Sequence, residues 1–339
     1  MRDDLGITTK LENGKAYLEF ALPEKIGRLL SALQIEIWEG AEGERLVFHG
    51  EYSSEEADSM TALLLRPHLW DGMRDPYVYL VKAQGRFRSV EYGEKMGGME
   101  KEEKLDPAED ITGEVEMYWR QELTIYDVRV VEKKGILLNE KEFLPHEVVY
   151  RLPPQISDAG TRVEQVRRDL ERLVRVGVNV IRLEGTGTGA EGVNCSEVRT
   201  FYSLCRKRGF LTGDLWIRPE NLPVYRGLPG ETTCQALLAA DGRTLTERYY
   251  YYQAKWSSEP VLYPVLSTLH RQENGLLSLT IYSNQKKVVL YVDGLLFLFQ
   301  TAASGDPEFI FEDIPVEKLP LHLAVEAGNL SISLTVTKL

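Results

Sequence analysis

Between Thr161 and Trp216 the chain alternates helix, strand, loop, helix, strand, and this alternation restricts its fold more than any other feature. Val163, Val166, Leu170, Leu173 and Val174 recur at helical spacing, with arginines and acids between them. Gly177 stops that helix, where a left-handed cap suits a residue without Cβ. Val178 to Leu183 reads as a short, mostly apolar strand of the sort buried on both faces in a parallel sheet. A glycine-rich loop, Gly185 to Gly192, leads into a second helix, Ser196–Arg208, and Gly209 precedes a further strand, Phe210–Asp214. Repeated βα units of this kind build an α/β layer.

The flanks read as β. Ala16, Leu18, Phe20 and Leu22 share one face of a strand, as do Leu33, Ile35 and Ile37, and Tyr77–Ala83 repeats the two-residue period. Asn13-Gly14, Gly40 to Gly43 and Asp71-Gly72 supply turns between these runs. Glu91 to Asp110 is rich in charge and glycine and reads as a solvated loop. At the far end, Val288–Val292 runs into an Asp293-Gly294 hairpin turn, and Leu330, Ile332, Leu334 and Val336 alternate in a last strand. The tyrosines Tyr249–Tyr252 are expected to divide, two packing into this second β module and two covering the neighbouring layer.

Longer motifs resemble glycoside hydrolase family 2, the β-galactosidase type. Pro67-His-Leu-Trp-Asp-Gly-Met-Arg-Asp-Pro-Tyr-Val-Tyr79 is similar to the signature of that family's immunoglobulin-like domain, and Gly135-Ile-Leu-Leu-Asn-Glu-Lys-Glu-Phe143 to the hairpin entering its barrel. Asp169, Gly177, Asn179 and Arg182, followed by Phe201-Tyr-Ser-Leu-Cys-Arg-Lys-Arg-Gly209, resemble the first helix–strand–helix unit of the barrel. Tyr250 to Leu262, Ile281-Tyr-Ser-Asn284 and Val288 to Gly294 resemble the trailing domain, in collinear order. The resemblance implies a mixed α and β chain in three parts. These are an immunoglobulin-like β-sandwich over 1–132, a truncated (β/α) barrel remnant over 133–247, and a second, C-terminal immunoglobulin-like β-sandwich over 248–339.

The departures bear on function. A closed (β/α)₈ barrel takes roughly 200–250 residues, and the stretch from Gly135 to Glu247 leaves room for about three strands. The resemblance places an acid/base glutamate after the fourth barrel strand and a nucleophile after the seventh, and neither strand has a counterpart. Asn139-Glu140 belongs to the entry hairpin. Nothing resembles the family's Asn-Arg-His, its His-Tyr-Pro or its jelly-roll domain. The sequence therefore predicts a catalytically inactive homologue, a carbohydrate-associated or assembly component with no catalytic residues. The alternative within the enzyme class is a glycosidase with a remodelled or partner-completed site.

Arg182, Glu184, Asp214 and Trp216 are the ligand-binding candidates, the acids lying at the C-terminal ends of neighbouring strands and Trp216 offering a ring to a sugar. The competing reading pairs Arg182 with one of the acids, satisfying a buried charge. The basic residues of the first helix, Arg162, Arg167, Arg168, Arg172 and Arg175, read as a solvated face balanced by Glu164, Asp169 and Glu171. Gly187-Thr-Gly-Ala-Glu-Gly192 fits the dinucleotide fingerprint, which supplies a second alternative. Helix character starts only near Ser196, however, so a pyrophosphate would not meet a helix N-terminus.

Composition excludes other classes. The net charge is -12 with no basic block, which disfavours nucleic acid and anionic membrane as partners. No apolar run is long enough to span a bilayer, and the start lacks a signal-like apolar core, so a cytoplasmic location is expected. Cys195, Cys205 and Cys234 form no disulfide framework, and the five histidines lack zinc spacing, so no metal or cofactor is expected. An open parallel sheet leaves edges and an apolar face, which predicts a homo-oligomer or a covering partner protein.

Overall fold

The computed structural model describes residues 5–90, 111–152, 159–184, 195–213, 222–228, 235–303 and 305–338. The expected loop Glu91 to Asp110 lies outside them. The chain divides into two compact units, Met1–Phe143 and Leu144–Leu339.

The first unit is an antiparallel β-sandwich. Gly6–Glu12, Lys15–Ala21 and Thr61–Leu65 form one sheet, with Lys15–Ala21 central. The other orders Arg45–Ser53, Leu30–Glu39, Tyr79–Val90 and Ile111–Leu123. The alternation read from the sequence decides which face is dry: Ala16, Leu18 and Phe20 meet Leu33, Ile35, Ile37 and Val81 in one core. Gly135–Leu138 and Lys141–Glu142 form the expected hairpin, on a two-residue turn with φ of 49° at Asn139 and 67° at Glu140. It closes the first unit.

The second unit begins with a sheet of five parallel strands, in the order Leu211–Thr212, Val180–Leu183, Glu147–Tyr150, Val224–Arg226, Ala236–Leu238. Among the described residues the ring is open. The expectation of about three strands is corrected to five. Val224–Arg226 and Ala236–Leu238 have three residues each, too short to show a period. They lie on the side of the Glu147 strand opposite to the Val180 strand, where the last strand of a closed ring would sit. Both sheet edges are two or three residues long, one of the ways proteins blunt an edge.

Ala159–Val176, Cys195–Lys207 and Glu247–Trp256 pack on one face of this sheet, around Val148, Tyr150, Ile181, Leu183 and Phe201. The reading of the first helix's basic face as wholly solvated is corrected, since Arg162 is buried and Asp169 has no exposure. Both lie on the side facing the sheet or the second helix, where charge is kept only by pairing. Glu247–Trp256 is a helix, capped by the Thr246 hydroxyl accepting from the Tyr249 amide. Its tyrosines divide as expected. Tyr249 is buried in the α/β core with Tyr252 beside it, while Tyr250 stacks on Tyr263 at 3.8 Å and Tyr251 meets Tyr282 edge-on. Tyr263 and Tyr282 belong to the closing sandwich. Its sheets are Leu262–Arg271, Leu277–Ser283 and Glu308–Ile314 against Leu295–Thr301, Lys287–Val292, Leu321–Ala327 and Leu330–Val336. Asp293-Gly294 makes the predicted turn, with φ of 45° and 81°.

Candidate functional site

The parallel sheet has two chemically different faces, and strand alternation separates them. Val148, Tyr150, Ile181 and Leu183 turn towards the helices. Glu147, Val149 and Arg151 turn the other way, beside Val180, Arg182 and Glu184 of the neighbouring strand, because Val149 pairs with Arg182 and Glu147 with Val180.

On the helix face a single carboxylate collects donors from three elements. Asp169, fully buried, accepts from the Tyr150 hydroxyl at 2.9 Å, the Tyr225 hydroxyl at 2.8 Å and the Gln165 amide at 2.8 Å. Arg226 Nη2 donates to it at 3.2 Å, and Arg172 Nη1 lies 3.6 Å away. Burial, reinforced by the Asp169 charge, pushes both phenols well above the ordinary tyrosine range, so they act as donors. Tyr150 and Tyr225 also stack at 5.3 Å. The arrangement pins helix to sheet and leaves the carboxylate no free face for substrate.

On the opposite face the acids are also engaged. Arg182 Nε donates to Glu147 Oε1 at 2.9 Å, with the Glu147 side chain fully buried and Arg182 14 % exposed. Arg151 reaches both oxygens of Glu184, through Nε to Oε2 and through Nη2 to Oε1, and its Nη1 donates to the Arg226 carbonyl at 3.2 Å. Glu184 stays 47 % exposed and sits just past the strand end, its amide donating to the Tyr150 carbonyl at 2.9 Å. The two acids thus occupy different depths of one face, each across from an arginine.

The remaining residues of the Asp169–Arg182 run are architectural. Asn179 Oδ1 accepts the His146 amide at 2.7 Å and its Nδ2 donates to the Leu144 carbonyl at 2.8 Å, which seats the entry to the first parallel strand. Gly177 has φ of 88°, and a Cβ there would lie 2.5 Å from the Trp256 carbonyl oxygen. His146 packs flat on Trp256, with Nδ1 2.8 Å from the Gly177 carbonyl, and burial lowers its basicity.

Of the four ligand candidates, Arg182 and Glu184 share a sheet face but belong to different ion pairs, while Asp214 and Trp216 lie outside the described residues. Gly187 to Gly192 and Cys234 also lie outside them. The buried Cys205 is a free thiol whose ionisation is suppressed by burial, which makes it a packing residue. No cluster of metal-ligating side chains occurs among the described residues. Sequence reasoning missed Glu147, Arg151, Tyr150, Tyr225 and Arg226. The available signal was the acid and arginine that bracket the apolar Val148-Val-Tyr150 run, since charges at both ends of a buried strand need partners.

No protein-family model and no curated protein sequence matches the chain. The likeness is structural. A β-glycosidase from Bacteroides vulgatus aligns with a TM-score of 0.62 at 11% identity, covering 99% of this chain and 65% of that one. A putative β-galactosidase from Bacteroides fragilis gives 0.61 at 13%, covering 98% and 73%. An FMN-binding β-glucuronidase from Facaelibacterium prausnitzii L2-6 gives 0.61 at 14%, covering 99% and 74%. The chain therefore has the fold of β-glycosidases of this type. No helix is long and apolar enough to cross a membrane.

Proposed function

We propose that this chain is a divergent member of glycoside hydrolase family 2 that has lost glycosidic-bond hydrolysis and serves as a carbohydrate-associated or assembly component. The observation that carries the reading is the state of three acids among the described residues of the α/β layer. Glu147, Asp169 and Glu184 are each bonded to an arginine, Arg182, Arg226 and Arg151 in turn. A retaining glycosidase needs two carboxyl groups about 5–5.5 Å apart, one protonated and one ionised, facing the same bond. An arginine against a carboxylate occupies the lone pairs that a proton donor or nucleophile would use. The open five-stranded sheet supports the same reading, because a closed ring brings carboxylates from different strands towards a common centre.

The solved β-glycosidases suggest the substrates to try. The purified chain, alone and with proteins co-purified from its host, is assayed with nitrophenyl β-galactoside and nitrophenyl β-glucuronide. The expected result is no release above buffer from the chain alone. Ordinary turnover that disappears in Glu184→Gln would overturn the reading and restore an enzyme. Activity appearing only with a partner would support the partner-completed alternative. Self-association, an expectation from the sequence, belongs to the same proposal and is read by light scattering at micromolar concentration.

A further inference from the structure

On the first unit a groove of about 650 Å³ lies between the Asn13-Gly14 turn, the end of the Thr61–Leu65 strand and the Asn139-Glu140 turn. That volume is in the range of small-ligand sites. The chain has seven non-glycine residues with positive φ among those described, and four of them line this groove: Asn13, Arg66, Asn139 and Glu140. Asparagine tolerates the left-handed region and is ordinary turn chemistry. Arginine at 51° is not, so its surroundings hold that backbone in place, while glutamate at 67° completes the two-residue hairpin turn with Asn139. The holding contacts are visible. The Arg66 amide donates to the Gly14 carbonyl at 2.9 Å. Asn139 Nδ2 donates to the carbonyl of buried Trp70 at 2.9 Å, and its Oδ1 accepts the Asp127 amide at 3.0 Å. The walls are therefore formed before any ligand arrives.

Charge selects the class of ligand. Three carboxylates, Glu12, Asp127 and Glu140, are balanced by Arg66, Arg129 and Lys10, whose ammonium lies 3.3 Å from Glu12, so the groove carries no net charge and does not select an ion. Arg129 is engaged with Asp127 and, at 3.1 Å, with Glu140. The Arg66 side chain is exposed and has no ion-pair partner among the described residues. Carboxylate acceptors beside amide and guanidinium donors match neighbouring hydroxyls, each of which donates and accepts. Leu11, Leu69 and Pro67 add apolar wall for the C–H face of a ring. The geometry points to a binding site for a neutral saccharide of roughly one or two rings in this groove, with Arg66 and Glu12 as its hydroxyl contacts. The choice of a sugar rests on the carbohydrate-associated reading above; the groove itself does not.

The test is titration of the full chain with lactose, cellobiose and glucuronic acid, followed by calorimetry and ligand-observed NMR. A neutral disaccharide is expected to bind, and glucuronic acid, which gains nothing from a groove of balanced charge and offers one ring, to bind no more tightly. Arg66→Ala is expected to weaken binding by about tenfold or more, as befits loss of a charged hydrogen bond. Its melting temperature should stay near wild type. Glu12→Gln should weaken binding too, whereas Glu317→Gln, at an exposed position in the other unit, should not. No saturation transfer from either disaccharide at about 10 mM overturns the proposal. So does binding that survives Arg66→Ala and Glu12→Gln unchanged, since the sugar then sits elsewhere. Hydrolysis of a nitrophenyl glycoside is a separate readout that bears on lost catalysis alone.

Discussion

The Tyr225 hydroxyl donates to Asp169 Oδ1 at 2.8 Å, joining a strand to a helix that lies 56 residues earlier in the chain. Tyr150, Gln165 and Arg226 bond the same carboxylate. Every group around it is a donor, so an amide in its place would present its own N–H₂ to donors inside a dry core. Asp169→Asn is expected to cost about 3–5 kcal/mol, the cost of breaking a buried charged network from one side. Tyr225→Phe removes one bond and is expected to cost about 1–2 kcal/mol. Urea unfolding followed by tyrosine fluorescence and circular dichroism measures both. Equal, small losses would mean that Asp169 is no hub.

Gly177 meets the end of the Glu247–Trp256 helix at a distance that admits no side chain. Its φ of 88° already strains any L residue, and a methyl group would lie 2.5 Å from the Trp256 carbonyl oxygen and 2.9 Å from the Ser257 nitrogen. Backbone cannot swing aside as a long side chain can. Gly177→Ala is expected to destabilise the second unit by more than about 2 kcal/mol, combining dihedral strain with overpacking. Hydrogen exchange should show the loss in Ala159–Val176 and Glu247–Trp256 together. A stability within about 0.5 kcal/mol of wild type would refute this account of the contact.

What the sequence made legible follows from what it encodes locally. Leu33, Ile35 and Ile37 alternate and are all buried, and the apolar stripe Val166, Leu170, Leu173 faces the sheet. Asp169, Gly177, Asn179 and Arg182 stand out as one motif, yet each also meets a partner from a distant part of the chain. Arg182 meets Glu147 only because two strands pair in a given register, which no local pattern contains. Val224–Arg226 and Ala236–Leu238 were invisible because three residues cannot display a period, and neither could their place beyond the Glu147 strand be read. Four consecutive tyrosines hid a helix, since aromatic runs suit strands better and only Thr246 and Glu247 marked a start.

The two ion pairs of the outer sheet face should differ in energetic weight. Glu184 is 47 % exposed, so water already screens its pairing with Arg151. Glu184→Gln is expected to change stability by about 1 kcal/mol or less. Glu147 is fully buried, and neutralising it removes the carboxylate that faces the guanidinium of Arg182, itself 14 % exposed. Glu147→Gln is expected to cost about 3–5 kcal/mol. Denaturant titration of the two variants side by side provides the measurement. A larger loss in Glu184→Gln would reverse the ranking and make the strand-end pair the structural one.

His146 should give stability a pH dependence of predictable sign. Burial disfavours its charged form and outweighs the Gly177 carbonyl, which favours a proton on Nδ1, so its folded pKa falls below the ordinary histidine value. The unfolded chain then binds the proton more readily than the folded one, and stability rises with pH wherever that holds. The contribution is present above the unfolded pKa of about 6.5 and is lost as pH falls through the folded value. The neutral ring keeps its hydrogen on Nδ1 for Gly177 and lies flat on Trp256 at 5.1 Å, a packing that protonation would force to hold a charge. Melting temperatures of wild type and His146→Gln, taken between about pH 5 and pH 7.5, isolate this group from every other titration. The wild type should lose stability more steeply on acidification, with the two curves drawing together at low pH. Parallel curves would show that His146 titrates alike in both states and that its stacking on Trp256 is indifferent to charge.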